Sequence, residues 1–183
     1  MSAKLISIIG PPASGKSTVA ELLAAGLPGE LLCEDYAGNP FLAAAYTGTS
    51  DYRLPSQLYF MLSRVKQMSL TTWPESGILV ADYGYCQDRI FAELLMEEAD
   101  LNLYDEVARR VAPLVKPPDA TIHLYAPVQE LQRRIARRGR EFERVFADEF
   151  LLSLMQCNQA ALARLDCPVW SVDTLETDLR RPD

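Results

Sequence analysis

A single histidine and four cysteines are all the imidazole and thiol that this 183-residue chain has. Cys33, Cys86, Cys157 and Cys167 stand far apart with no CxxC pair, and His123 is the sole imidazole. Such usage argues against a zinc site and a disulfide scaffold, and leads us to expect a reduced, cytoplasmic protein. Long apolar runs are missing too. None approaches the roughly 18 residues of a membrane span, and the N-terminus lacks the charged, apolar, small-residue order of an export signal. Basic charge is scarce, with 18 Lys and Arg against 25 Asp and Glu for a formal charge of −7. A surface of that sign repels phosphate backbones and anionic lipid, so neither nucleic acid nor membrane is expected as a partner. Repeats, low-complexity tracts and linkers are absent as well. What remains, 49% hydrophobic and 23% charged, reads as a single domain over residues 1–183 with ample chain for a core.

The hydrophobic pattern switches between two periods along the chain. Residues 4–9 form a β-branched run that stops at Gly10 and Pro11, as a buried strand would. Further strands are predicted at 31–33, ending on Glu34 and Asp35, at 78–81, ending on Asp82, and at 121–125 and 168–172. Helical spacing marks 17–25, 39–46, 55–72, 88–98, 101–115, a segment from Val128 into Arg137, and 147–165. Strands alternating with helices in this way call for an α/β three-layer sandwich around a five-stranded parallel sheet.

Gly10-Pro11-Pro12-Ala13-Ser14-Gly15-Lys16-Ser17, followed by Thr18, fits GxxxxGK[ST] directly after a predicted strand and before a predicted helix. Glycines let the backbone curl around a phosphate, amide N–H groups and the helix N-terminus donate to it, and Lys16 adds positive charge. We therefore expect a P-loop NTPase fold with sheet order 2-3-1-4-5, and ATP as the bound nucleotide. Ser17 and the strand-end Asp82 are the expected Mg²⁺ ligands, although an aspartate there would equally serve to cap the next turn. The NKxD signature of the GTPases is missing downstream.

The acceptor side rests on scattered residues. Glu34 ends a strand near the loop, where a carboxylate suits proton abstraction from an attacking hydroxyl. Gln57 and Arg64, two helical turns apart, share a side with Phe60 and Met61 and suit the edge of a planar base. Arg64 would equally pair with Asp88 merely to join two helices.

In order and spacing, the segments from Glu34 to Leu42, Tyr46, Gln57 to Arg64, Asp82 to Ala92, Pro118-Asp119 and Arg138 to Glu143 resemble the deoxyribonucleoside kinase family. The resemblance covers roughly residues 4–165. It implies transfer of the γ-phosphoryl group of ATP·Mg²⁺ to the 5′-hydroxyl of a deoxyribonucleoside, with Glu34 facing that hydroxyl. It further implies that Gln57 bonds the base and that the Arg64/Asp88 pair selects deoxyadenosine, deoxyguanosine or deoxycytidine over thymidine. Tyr46 and Glu143 correspond to residues that hold the sugar 3′-hydroxyl. Tyr83 departs from the pattern, since most members carry an arginine directly after the strand-end acid, against the 5′-hydroxyl and phosphates; the resemblance implies Asp82 and Tyr83 among the substrate contacts. A homodimer is the assembly the resemblance implies.

Arg133, Arg134, Arg137, Arg138, Arg140 and Arg144 crowd into twelve positions of an otherwise acidic chain. Gly139 permits a hinge between them, so residues 133–146 read as a lid that folds arginines over a triphosphate. Arg134 and Arg138 are expected on ATP, and Arg138 and Arg140 with Lys16 and Glu34 in catalysis. A solvated helix face balanced by Glu130, Glu141 and Glu143 is the competing reading. His123, Trp73 and Trp170 are expected to pack, and Phe91, Leu94 and Leu95 to be core or dimer interface. A nucleoside monophosphate or small-metabolite kinase on the same fold, and a catalytically weak nucleotide sensor, stand as the alternatives. The acceptor region over 34–66 holds only Arg53, Arg64 and Lys66 as cations, which disfavours a monophosphate acceptor.

Overall fold

The computed structural model describes residues 2–48 and 50–177. Five parallel strands, β1 (Lys4–Ile9), β2 (Gly29–Leu32), β3 (Ile78–Ala81), β4 (Ala120–Tyr125) and β5 (Val169–Asp173), lie in the order β2-β3-β1-β4-β5. The expected order and direction are those observed. Among the described residues, seven α-helices accompany the sheet: α1 (Lys16–Gly26), α2 (Leu42–Thr47), α3 (Arg53–Gln67), α4 (Cys86–Leu95), α5 (Glu98–Val111), α6 (Val128–Arg138) and α7 (Asp148–Leu162).

The central strand explains the layering. Leu5 on one face of β1 packs with Met68, Leu79, Tyr83 and Val115, while Ile8 on the other meets Val19 and Ala20 of α1. Both side chains are wholly buried, as parallel strands covered by helices require. A separate apolar cluster, with Leu131 and Ile135 of α6 against Leu151 and Leu154 of α7, anchors the C-terminal helices and also takes in Phe91 and Leu94 of α4.

Several boundaries differ from the sequence expectation. The long helix ends at Gln67, not at Thr72, because the following backbone is captured from outside: Leu70 N–H donates to the Leu114 carbonyl and Lys116 N–H to that of Met68. The helix also begins two residues before Pro55, whose missing N–H costs nothing in a first turn. α5 stops at Val111, and Pro113 sits in the 3₁₀ turn that follows. Trp170 was expected to pack, yet it is 56% exposed, because β5 is a sheet edge and the ring stands on its uncovered side. Trp73 is half-buried and donates its indole N–H to the Ala3 carbonyl at 2.9 Å. His123 is buried in the sheet, with Nδ1 3.3 Å from Ser171 Oγ. Among the described residues, no helix is long and apolar enough to cross a membrane.

Candidate active site

The carboxyl ends of β1, β2 and β3 deliver Gly10, Glu34 and Asp82 to one end of the sheet, where ligands bind in open α/β folds. Gly10 has φ 152° and Gly15 φ 100°, values that L side chains rarely adopt. A Cβ at Gly10 would also collide with the Leu124 carbonyl oxygen of the neighbouring strand. Lys16 Nζ donates to the Gly10 and Pro11 carbonyls at 3.0 and 3.1 Å. Burial pulls its ammonium down to about 8, against the pull of the Asp82 carboxylate. Gln87 on α4, which no motif or spacing singles out, donates to the Gly10 carbonyl at 3.0 Å and ties the loop to the acceptor side.

Asp82 is buried and joins three elements. Ser17 Oγ donates to its Oδ2 at 2.6 Å, and the backbone N–H of Glu34 donates to its Oδ1 at 2.8 Å. A serine hydroxyl and a carboxylate side by side beneath a phosphate loop suit Mg²⁺, which takes few protein oxygens and draws its other ligands from water and phosphate. The same aspartate sets the position of Glu34 relative to the loop.

On α3 the buried side chains are Ser56, Gln57, Phe60, Met61 and Arg64, the stripe that spacings of three and four produce. Arg64 packs against the rings of Phe60 and Tyr83, with its guanidinium carbon 5.5 and 5.2 Å from their centroids. Its Nη1 donates to Asp88 and its Nη2 to Glu34. The expected Arg64–Asp88 pair is present. The Arg64–Glu34 contact was not anticipated, since nothing in a sequence relates a strand-end loop to a helix residue 30 positions on. Tyr83, expected among the substrate contacts, lies beneath Arg64 with its hydroxyl on Gln67 and does not line the cleft. An aromatic ring at that position is the floor for a cation brought by another element.

Glu143 is buried, like Asp82 and Asp88, with Arg138 Nε at 3.0 Å and Arg140 Nη1 at 3.4 Å. Arg140 also stands 4.6 Å over the ring of Tyr36. The two arginines flank Gly139, whose φ of 73° ends α6 in the left-handed conformation. Tyr46 is stacked on Phe142 and edge-on to Phe146, so the expected sugar-side residues Tyr46 and Glu143 adjoin through an aromatic cluster. Arg134 is held differently. It donates to Glu130 at 2.6 Å and to Thr174 Oγ1 and O at 2.8 and 2.7 Å, linking α6 to the turn after β5 beside Ala13. Between these groups lies a cleft lined by Lys16, Glu34, Tyr46, Gln57, Arg64, Arg138 and Glu143, together with Tyr36, Leu42, Gln87 and several phenylalanines. That mixed polar and aromatic lining suits a small-molecule site.

Burial pushes the Asp88 carboxyl from 3.8 up to about 6, although Arg64 opposes the shift. The folded protein therefore holds this proton where the unfolded chain has lost it, and stability contributed by the site is full below about pH 4 and falls as pH rises to about 6. Asp119 and Glu130, both lowered to about 2, act in the opposite sense and in a lower window, losing their contribution as pH drops below about 4. Unfolding free energies of wild type and Asp88→Asn, measured in urea from pH 4 to 6.5, are expected to shift relative to one another by about 3 kcal/mol, wild type losing ground with rising pH. A pH-independent difference would show that Asp88 is already ionised at pH 4.

Residues 6–182 match the family model for deoxynucleoside kinase. The chain is 26% identical over 167 residues to deoxyguanosine kinase of Bacillus subtilis, spanning 90% of this chain and 81% of that one. Over 147 residues it is 29% identical to the deoxyadenosine/deoxycytidine kinase of the same organism, covering 76% of this chain and 67% of that enzyme. A structure of deoxyadenosine kinase from M. mycoides with dCMP and dCDP bound superimposes with a TM-score of 0.82 over 96% of this chain and 92% of that one, at 24% identity, and so shares the fold. With the phosphate loop, the sheet order and nearly the whole chain in agreement, this protein belongs to the deoxynucleoside kinase family.

Proposed function

We propose that this kinase transfers the γ-phosphoryl group of ATP to the 5′-hydroxyl of a deoxyribonucleoside whose base carries an amino group, deoxyadenosine, deoxyguanosine or deoxycytidine in preference to thymidine. The observation that carries the reading is the single cleft in which Lys16, Glu34, Gln57, Arg64, Arg138 and Glu143 meet. Lys16 and the loop amides hold the β- and γ-phosphates at one end. Gln57, Arg64 and, behind it, Asp88 offer an amide, a guanidinium and a carboxylate to a base edge at the other. Tyr46 and Glu143 bracket the space for the sugar between them.

In this reading Glu34 accepts the 5′-hydroxyl proton as that oxygen bonds to the γ-phosphorus, and the bond to the β-bridging oxygen breaks to release ADP. Ser17 and Asp82 would hold Mg²⁺, which supplies charge neutralisation to the phosphate oxygens. Arg138 and Arg140, hinged about Gly139, bring further positive charge to the transferring group. Gln57, Arg64 and Asp88 orient the nucleoside, and the aromatic walls exclude water from the reacting atoms. The working form is a cytoplasmic homodimer in this proposal, following the habit of the family.

Equilibrium binding discriminates the acceptor classes. Calorimetric titration is expected to show the preferred amino-bearing deoxynucleoside binding about tenfold or more tightly than thymidine, since each unmatched buried polar group costs about 1–3 kcal/mol. A deoxynucleoside monophosphate that binds more tightly than its nucleoside would favour the monophosphate kinase instead.

A further inference from the structure

Arg64 is shared between two carboxylates with different tasks. One arm of its guanidinium reaches Glu34 and the other reaches Asp88, and all three side chains are nearly excluded from solvent, at 7%, 9% and 2% exposure. The rings of Phe60 and Tyr83 both lie against the guanidinium, at 5.5 and 5.2 Å from its carbon, so the group is held by packing as well as by its two carboxylates. Two polar atoms of the cluster have no hydrogen-bond partner: Arg64 Nε, a donor, and Asp88 Oδ2, an acceptor. Buried polar atoms left unmatched are costly, which marks this as a place where a ligand edge is favoured.

We propose that Arg64 is a positioning residue that couples recognition of the nucleobase to the readiness of Glu34. The inference rests on the reading above, in which Glu34 accepts the proton and Arg64 with Asp88 meets the base. While Arg64 donates to Glu34, one of the carboxylate oxygens is committed to the guanidinium and directed toward the base end of the cleft. An amino group donating to Asp88 Oδ2, with a ring nitrogen accepting from Arg64, draws the guanidinium toward Asp88 and away from Glu34. The oxygen of Glu34 is then released to the 5′-hydroxyl. Tyr83, anchored by its hydroxyl on Gln67, keeps its ring against the guanidinium. Base identity is therefore read in the rate of phosphoryl transfer as well as in affinity.

The test compares single-turnover rates at saturating nucleoside for each accepted substrate and its analogue lacking the exocyclic amino group. In wild type the analogue is expected to react at least tenfold more slowly even when saturating. In Asp88→Asn the guanidinium stays on Glu34 whatever base is bound, so parent and analogue converge at the slow rate. In Arg64→Gln the restraint is gone, and the two converge with no slow analogue while both KM values rise. An analogue that loses affinity but keeps the wild-type rate at saturation overturns the proposal, whether or not the variants fold. Retention of the parent-to-analogue rate ratio in Arg64→Gln overturns it too. Failure of wild type to phosphorylate any nucleoside would instead strike the underlying functional reading, and the two failures are distinct.

Discussion

Replacing Glu34 with glutamine is expected to lower the phosphoryl-transfer rate by about 10²–10⁴ while nucleoside affinity stays within a few fold, the range for loss of a positioned general base. The substitution is close to silent structurally. Glutamine keeps an oxygen to accept from Arg64 Nη2, its backbone N–H still donates to Asp82, and Asp88 remains as a counter-charge for the guanidinium. What it removes is a lone pair able to take a proton at neutral pH. Single-turnover kinetics with an accepted deoxynucleoside, beside a calorimetric Kd for each protein, separates the two effects. Equal rates in wild type and variant would end the assignment of Glu34 as the proton acceptor.

Asp82→Asn is expected to be comparably severe, for a different reason. The carboxylate accepts from Ser17 Oγ and from the Glu34 backbone N–H through separate oxygens. An amide has one acceptor oxygen. If that oxygen keeps the Glu34 N–H, the NH₂ group faces Ser17, consumes a hydroxyl lone pair and removes the negative charge that Mg²⁺ needs. If it keeps Ser17, two donors face each other at Glu34 and the proton acceptor is displaced. Electrostatic stabilisation by a bound metal is worth several kcal/mol, so a rate loss of about 10²–10³ at 1 mM Mg²⁺ is expected, with half-saturation moved to higher Mg²⁺. A variant with the wild-type Mg²⁺ dependence would show that Asp82 only caps the turn.

The fold was legible because its signals are local and repeated. A β-branched run stopping at Gly10, the GxxxxGK[ST] spacing, and strand-length runs ending at Asp82 and Tyr125 each follow from the sequence within a few residues. Helix ends were less so. The backbone after Gln67 pairs with residues 114–116, a partner more than forty residues on that no local pattern reveals. Within the cleft, the periodicity of α3 correctly put Gln57 and Arg64 on one buried face. It carried no information on whether Arg64 would meet one acid or two, because that depends on where the loop after β2 comes to rest. Tyr83 was noticed as a departure from the family pattern, but its place beneath the guanidinium needed the three-dimensional structure. Trp170 misled for the converse reason, since an apolar residue in a strand says nothing about whether that strand lies at an edge. The lid arginines were legible as a cluster, yet their convergence on buried Glu143 depends on the turn at Gly139.

The most direct measurement is ATP-dependent phosphorylation of deoxyadenosine, deoxyguanosine, deoxycytidine, thymidine, the matching ribonucleosides and the deoxynucleoside monophosphates, with each product identified by mass. Turnover of one or more amino-bearing deoxynucleosides to the 5′-monophosphate, with thymidine and the monophosphates poor acceptors, is the expected result. Preferential formation of diphosphates from the monophosphates, or no turnover across the panel despite measurable ATP binding, would contradict it.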